Sequence, residues 1–160
     1  MEYNRTNAVA YAHKWGLLRN PQFYNFDGIG GDCTNFVSQC IYAGAKVMNY
    51  TRDVGWYYIS STNRAAAWTS VEYLYRFLTT NKEEGPYGIK CPINLLKIGD
   101  IIQLSYDGIL FGHSLFVIKT HPEILVAQHS TDENYINRPF SSYSYSTARG
   151  IHIEGVLVNK

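Results

Sequence analysis

An α+β fold, with N-terminal helices packed on a C-terminal antiparallel sheet, is predicted by three features of the sequence. Apolar residues in the first half recur at helical spacing, as in Cys33, Phe36, Val37, Cys40 and Ile41. After Gly99 the pattern changes to short runs rich in β-branched and aromatic residues. Turn signals such as Asp107-Gly108 separate those runs. Helices early and strands late is the order of a segregated α+β domain. A chain of 160 residues suffices for one domain with a real core, residues 1–160.

The first helix is expected from Asn4 to about Leu18. Asn4 or Thr6 caps it, and Ala8, Tyr11, Ala12, Trp15 and Leu18 form its apolar side. Pro21 stops it by disfavouring helix in the residue before. An aromatic loop, Gln22 to Asp27, leads to Gly30-Gly31. Asp32 then caps the second helix, its side chain accepting from an amide of the first turn, and Gly44 ends that helix. Residues 45–67 are irregular and long enough to cover a functional surface. Trp68-Thr69-Ser70 opens a third helix that reaches Thr80. Asn81 to Pro92 reads as loop, marked by Gly85-Pro86 and Gly88. Strands follow at 101–106, 112–119 and 124–129. Weaker ones lie near Tyr143 and at 151–158, with a polar stretch from Ser130 to Arg138 before them.

Composition excludes several function classes. With 46% hydrophobic and 17% charged residues the chain is neither disordered nor a coiled coil. The formal net charge of +1 sets up no field that selects nucleic acid, and no apolar run approaches membrane-spanning length. Three cysteines leave at least one thiol unpaired. Cys33 and Cys40 sit about 10 Å apart on one helix face, too far to bridge. No C-x-x-C pair occurs, and no metal or cofactor is expected. The first residues lack the apolar stretch of a signal peptide. The chain is therefore expected to act where it is made or to be a domain cut from a longer secreted protein, and to be a monomer. Aromatic content is high, 15% with 14 Tyr. It fits a groove for a sugar or peptide polymer, and equally an ordinary core and surface.

Cys33 is the chemical centre of this reading. At a helix start, converging amides and the positive helix end favour thiolate over thiol. The same pattern fits a buried structural cysteine. A nucleophilic cysteine needs a base and a group to orient that base. Among five histidines, His113 stands out: it follows Gly112 at the head of a strongly apolar strand. A merely structural strand-end histidine would read the same way. The next strand returns His129 to the level of His113. An odd loop, such as His121-Pro122-Glu123, puts Thr131 opposite His113 and His129 diagonal on the same face. An even loop puts Ser130 opposite and turns His129 away. The odd loop is expected, with His129 as orienter and Asp132 or Asn134 as alternatives. Asp32, Tyr24 and Asp27 are expected around the cysteine, and Trp56, Tyr57 and Trp68 along a substrate groove. An alternative joins Cys33, His113 and His129 as zinc ligands.

Several blocks carry a resemblance to a known family. They are Asn20 to Tyr24, Phe26-Asp27, Gly30 to Cys40, Tyr42-Ala43-Gly44, Trp68-Thr69, Gly112-His113-Ser114 and Gln128 to Asp132. Together they resemble the bacterial "putative amidase domain" family, which is grouped with papain-like cysteine peptidases and related to NlpC-type and CHAP cell-wall hydrolases. The resemblance implies an Asp-Cys pair opening a helix on an antiparallel sheet that carries the histidine. It implies Cys33 as nucleophile, His113 as base and His129 as third polar residue.

The expected activity is amide hydrolysis through an acyl-enzyme on Cys33. The Cys33 amide, with Tyr24 or Asp27, would stabilise the oxyanion. The expected substrate is a peptidoglycan amide, as amidase or endopeptidase, acting outside the cell or at the wall. Two alternatives stand: a protease, deamidase or acyltransferase acting on protein, and a non-catalytic aromatic-rich binding module.

Overall fold

A computed structural model of the protein describes residues 1–130 and 133–159. Helix α1, Arg5–Trp15, is capped by Asn4, whose side chain accepts from the Asn7 amide. It stops short of the expected Leu18, and Leu17 and Leu18 are exposed. Helix α2, Cys33–Ala45, buries Phe36, Val37, Cys40 and Ile41 completely. Each such side chain is worth about 1.5–3 kcal/mol over exposure. Gly44 does not end α2 as expected. Lys46 takes the left-handed position at φ 62°, and Gly44 instead lets α1 come close. A Cβ there would lie 2.6 Å from the Asn4 carbonyl oxygen and 2.7 Å from the Tyr3 ring.

Residues 45–67 are less irregular than expected. A short hairpin, β1 (Tyr58–Ser60) and β2 (Asn63–Arg64), leads into α3, Ala66–Thr69. Helix α4, Val71–Thr80, follows with Ser70 as its cap, accepting from Tyr73 N–H. The six-stranded sheet contains β3 (Gly85–Cys91), β4 (Ile101–Ser105), β5 (Phe111–Lys119), β6 (Leu125–Gln128), β7 (Tyr135–Pro139) and β8 (Thr147–Leu157). Its order is β3-β8-β4-β5-β6-β7, antiparallel throughout. The α+β class is thus the observed one. Strands β3 and β7 fall where loop was expected. Both are sheet edges, where Pro86 and Pro139 need donate no ladder hydrogen bond. No strand forms at Tyr143, which follows a 3-10 turn at Phe140–Ser142.

Two cores flank the sheet. Ile101, Phe116, Ile118, Ala127, Ile151 and Ile153 pack with the helices, and Leu96, Ile102, Leu104, Leu115, Val117 and Val126 form the second layer. One irregularity decides which side chains meet at the site. The β5–β6 loop is odd in length, since Lys119 pairs with Leu125. A β-bulge between Val117 and Lys119 then shifts the ladder, so Val117 pairs with Val126 and Phe116 with Ala127. Extended outward, that register sets Ser130 opposite His113. Gln128 therefore shares the face of His113, and His129 lies on the other. The expected loop is present, and the bulge cancels its effect. No described helix is long and apolar enough to cross a membrane.

Gly44→Ala tests the α1–α2 contact. Helix propensity alone favours Ala by about 1 kcal/mol, but the clash is with backbone and costs about 1–3 kcal/mol. Denaturant unfolding is expected to show a less stable variant.

Candidate active site

The site is built around one carboxylate. Asp32 is the residue before α2 and is buried, and its side chain makes no cap hydrogen bond to the first turn. This corrects the expected capping role. Its Oδ1 accepts from the Phe26 amide (2.9 Å) and Asn35 Nδ2 (2.8 Å). Its Oδ2 accepts from Arg19 Nη1 and lies 2.9 Å from His129 Nδ1. Burial alone would push its carboxyl up. The hydrogen bonds from His129, the Phe26 amide and Asn35 outweigh that and hold it below its ordinary value. Asn35 carries the order inward: its Oδ1 accepts from Trp68 Nε1 at 2.9 Å, and its Nδ2 also donates to the Tyr24 carbonyl.

Fixing Asp32 fixes the next residue. Cys33 presents its thiol at the first turn of α2, where no side chain among the described residues caps the amides. Thr34 Oγ1 lies 3.7 Å from the sulfur and 3.0 Å from Ser114 Oγ. The neighbouring His113 ring and the Ser114 backbone amide both favour the thiolate form of Cys33. Burial raises the thiol, and the His113 bond and charge, with Ser114 and Thr34, bring it below its ordinary value. Burial likewise favours a neutral His113 ring, but the Cys33 bond and charge and the Gln128 bond raise it above its ordinary value. His113 Nε2 is 2.9 Å from Gln128 Oε1. An amide oxygen only accepts, so Nε2 carries a proton and Nδ1 is left for the sulfur. Gln128 is itself held: Tyr143 Oη donates to Oε1 at 2.5 Å, and Nε2 donates to the Glu133 carbonyl at 3.0 Å.

His129 is not the neighbour of His113 that its position suggests. Its Nε2 donates to the Trp15 carbonyl (2.8 Å), its Nδ1 faces Asp32 and Arg19, and its ring stacks on Phe36 with centroids 3.9 Å apart. Arg19 gathers the other polar candidates, contacting Asp27 through Nη2 and Asn134 Oδ1 at 3.3 Å. Asp27 and Asn134 therefore sit behind the helix start and not against His113. Asp132 lies outside the described residues. Tyr24 does not line the cleft: its ring packs edge-on to Phe26 and its amide donates to the Tyr58 hydroxyl. Trp56 and Trp68 are wholly buried, 4.8 Å apart, under α2, and Tyr57 packs with Tyr50. None of the three reaches the groove, so all three belong to packing. The zinc arrangement is not assembled. Both nitrogens of His129 face other partners, and no three His, Cys, Asp or Glu among the described residues are placed to hold a metal.

Cys33 and His113 open onto a cleft of about 720 Å³. One part of its wall is glycine: Gly28, Gly30, Gly31 and Gly112. A Cβ built on any of them meets no atom within 4 Å. The rest includes Tyr106, Gln128, Tyr135, Arg138 and Tyr143. Sequence reasoning missed Arg19, Gln128, Arg138 and Tyr143 as site residues. The one available signal for Gln128 was the even-register alternative, which turns His129 away.

Comparison with known proteins gives the family of the chain. The family described as "Putative amidase domain" matches residues 2–154, and the chain belongs to that family. Its description puts the chain among amidase-type hydrolases. The chain is also similar to an uncharacterized protein of Bacillus subtilis (strain 168), YhbB, with 31% identity over 121 residues. That match covers 73% of this chain and 37% of the relative, so the chain spans well under half of that protein's length. No solved structure matches the chain significantly.

The paired shifts of Cys33 and His113 set a testable reactivity. Site-resolved iodoacetamide labelling at pH 7 is expected to modify Cys33 faster than a free cysteine. In His113→Ala, burial loses its main opposition and only Ser114 and Thr34 still act against it, so the apparent pKa of Cys33 rises and labelling at pH 7 slows below the free-thiol rate. Equal rates in both proteins would contradict the pairing.

Proposed function

We propose that this member of an amidase-type family hydrolyses its substrate by covalent catalysis at Cys33. The observation that carries the reading is the chain from the Cys33 thiol through His113 to Gln128, opening onto the cleft. His113 Nδ1 takes the thiol proton. The thiolate attacks the amide carbonyl carbon, and the uncapped Cys33 amide at the helix start receives the developing oxyanion. As the C–N bond breaks, His113 returns the proton to the leaving amine nitrogen, leaving a thioester on Cys33. Water then adds to the thioester with His113 as base, releasing a carboxylic acid and the free thiol. Gln128 takes the third role assigned by expectation to His129. It keeps Nε2 protonated and the ring turned to the sulfur, and Tyr143 and the Glu133 carbonyl orient it in turn. No step needs a metal or cofactor from outside the chain.

The substrate we propose is a peptidoglycan amide, and the place of action is the cell wall. The family kinship with wall hydrolases suggested by the sequence supports this. So does a cleft that is open, walled by glycine on one part and lined by tyrosines on another. A peptide main chain can lie against glycine more closely than against any other residue.

Release of soluble muropeptides from purified wall, resolved by mass spectrometry, tests both chemistry and substrate. Cys33→Ala is expected to abolish release while the protein still folds. Gln128→Ala is expected to lower kcat by about 10²-fold, on the scale of a misoriented general base, with little change in melting temperature. Activity retained in Cys33→Ala would refute the mechanism. Cleavage of protein but not wall would move the substrate to the protein-directed alternative.

A further inference from the structure

The cleft wall holds an arginine that has no carboxylate partner among the described residues. The Arg138 guanidinium carbon lies 3.7 Å from the centroid of Tyr143 and 4.5 Å from that of Tyr135. Its Nε donates to Ser142 Oγ at 2.9 Å and its Nη2 to the Ser142 carbonyl at 3.4 Å. Ser142 Oγ is pinned by donating to the Pro139 carbonyl. The side chain is therefore fixed by two rings and one edge. Among the described residues no carboxylate pairs with Arg138, and the neighbouring Tyr143 hydroxyl, whose pKa burial pushes up, brings it no negative charge. The three arginines built into other clusters differ. Arg5 pairs with Asp100, Arg19 with Asp27 and Asp32, and Arg149 with Glu72.

The acidic groups described in the same wall are already engaged. Glu133 accepts from the Tyr135 hydroxyl at 2.7 Å, and Asp32 is saturated behind the helix start. Holding a planar cation still costs side-chain entropy, and leaving its donors toward a cleft leaves a binding edge for a planar anion. From this we infer that Arg138 is a carboxylate-binding subsite, and that the substrate is an acidic peptide whose carboxylate docks there while its main chain runs along the glycine wall. The inference rests on the hydrolase reading above and names the substrate class for that cleft.

The subsite communicates with the catalytic pair. The positive charge of Arg138 disfavours protonation of His113. Tyr143, which cushions Arg138, also donates to Gln128, which holds His113. A docked carboxylate neutralises that charge and makes His113 a better holder of the thiol proton. The correct substrate thus tunes the base as it binds.

The test uses acetylated, amidated alanine hexapeptides with one Glu moved through each position, and the isosteric Gln series. Each is titrated onto the full chain carrying Cys33→Ala, with binding read by NMR shift changes. At one position or more, the Glu peptide is expected to bind about tenfold tighter than its Gln counterpart, the scale of a charge-assisted forked pair. Arg138→Gln in the same background is expected to remove that preference. Arg138→Lys, which keeps charge and stem, is expected to retain only part of it and guards against a fold effect in the first variant. Indistinguishable Glu and Gln series, including no binding by either, would overturn the inference, as would a preference that survives Arg138→Gln. Turnover of the same peptides by the unsubstituted chain reads the hydrolase proposal separately. A binding preference with no turnover keeps the carboxylate site and removes that proposal.

Discussion

Everything at this site depends on the Asp32 carboxylate. It sits immediately before the cysteine, is buried, and takes four donors from four parts of the chain: Phe26, Asn35, Arg19 and His129. A buried carboxylate without partners is costly, so each donor is required by the burial of the charge. Their joint effect ties the aromatic entry loop, the end of α1, the start of α2 and the end of β6 to one point. Cys33 inherits its position from that point, and its first-turn amides stay uncapped because the Asp32 side chain is turned to this work.

The result is a division between two polar systems that sequence reasoning merged into one. Arg19, Asp27, Asp32, His129 and Asn134 form the support behind the helix start. Cys33, His113, Gln128 and Tyr143 form the chain that faces the cleft. The separation follows sheet geometry. Neighbours in a strand point to opposite faces, so Gln128 and His129 must serve different systems. Arg138 on the cleft wall belongs to the second system, through the tyrosine it shares with Gln128.

The parts legible in the sequence are those with local causes. The apolar stripe of α2 shows in residue spacing, as do the turn before it and the succession of helices and strands. Cys33 and His113 stand out because each sits just after a glycine turn or glycine, at the head of a strongly apolar element: Cys33 after Gly30-Gly31-Asp32, His113 after Gly112. The errors have non-local causes. A bulge at Ile118 leaves no mark in composition, yet it exchanges Gln128 for His129. Strands β3 and β7 look like loops because each carries a proline, which a sheet accommodates at its edge, and edge position is a property of the finished sheet. Trp56 and Trp68, expected along a groove, lie in the core instead. Ser38 and Asn35 accept their indole N–H groups inside the core, which lets both rings be fully buried.

The most direct test of Asp32 as the organising group is the pH dependence of unfolding free energy for the natural chain and Asp32→Asn. The carboxyl is held below its ordinary value in the folded chain, so its contribution is complete above about pH 4 and fades as pH falls further. Replacing it leaves Arg19 facing an amide, with an expected loss at neutral pH of about 3 kcal/mol, the low end for a broken buried pair because Arg19 keeps some solvent. The account predicts a gap between the two proteins that is constant from pH 7 to about pH 4 and narrows below it. A variant as stable as the natural chain at neutral pH, or a gap that does not change in acid, would contradict it.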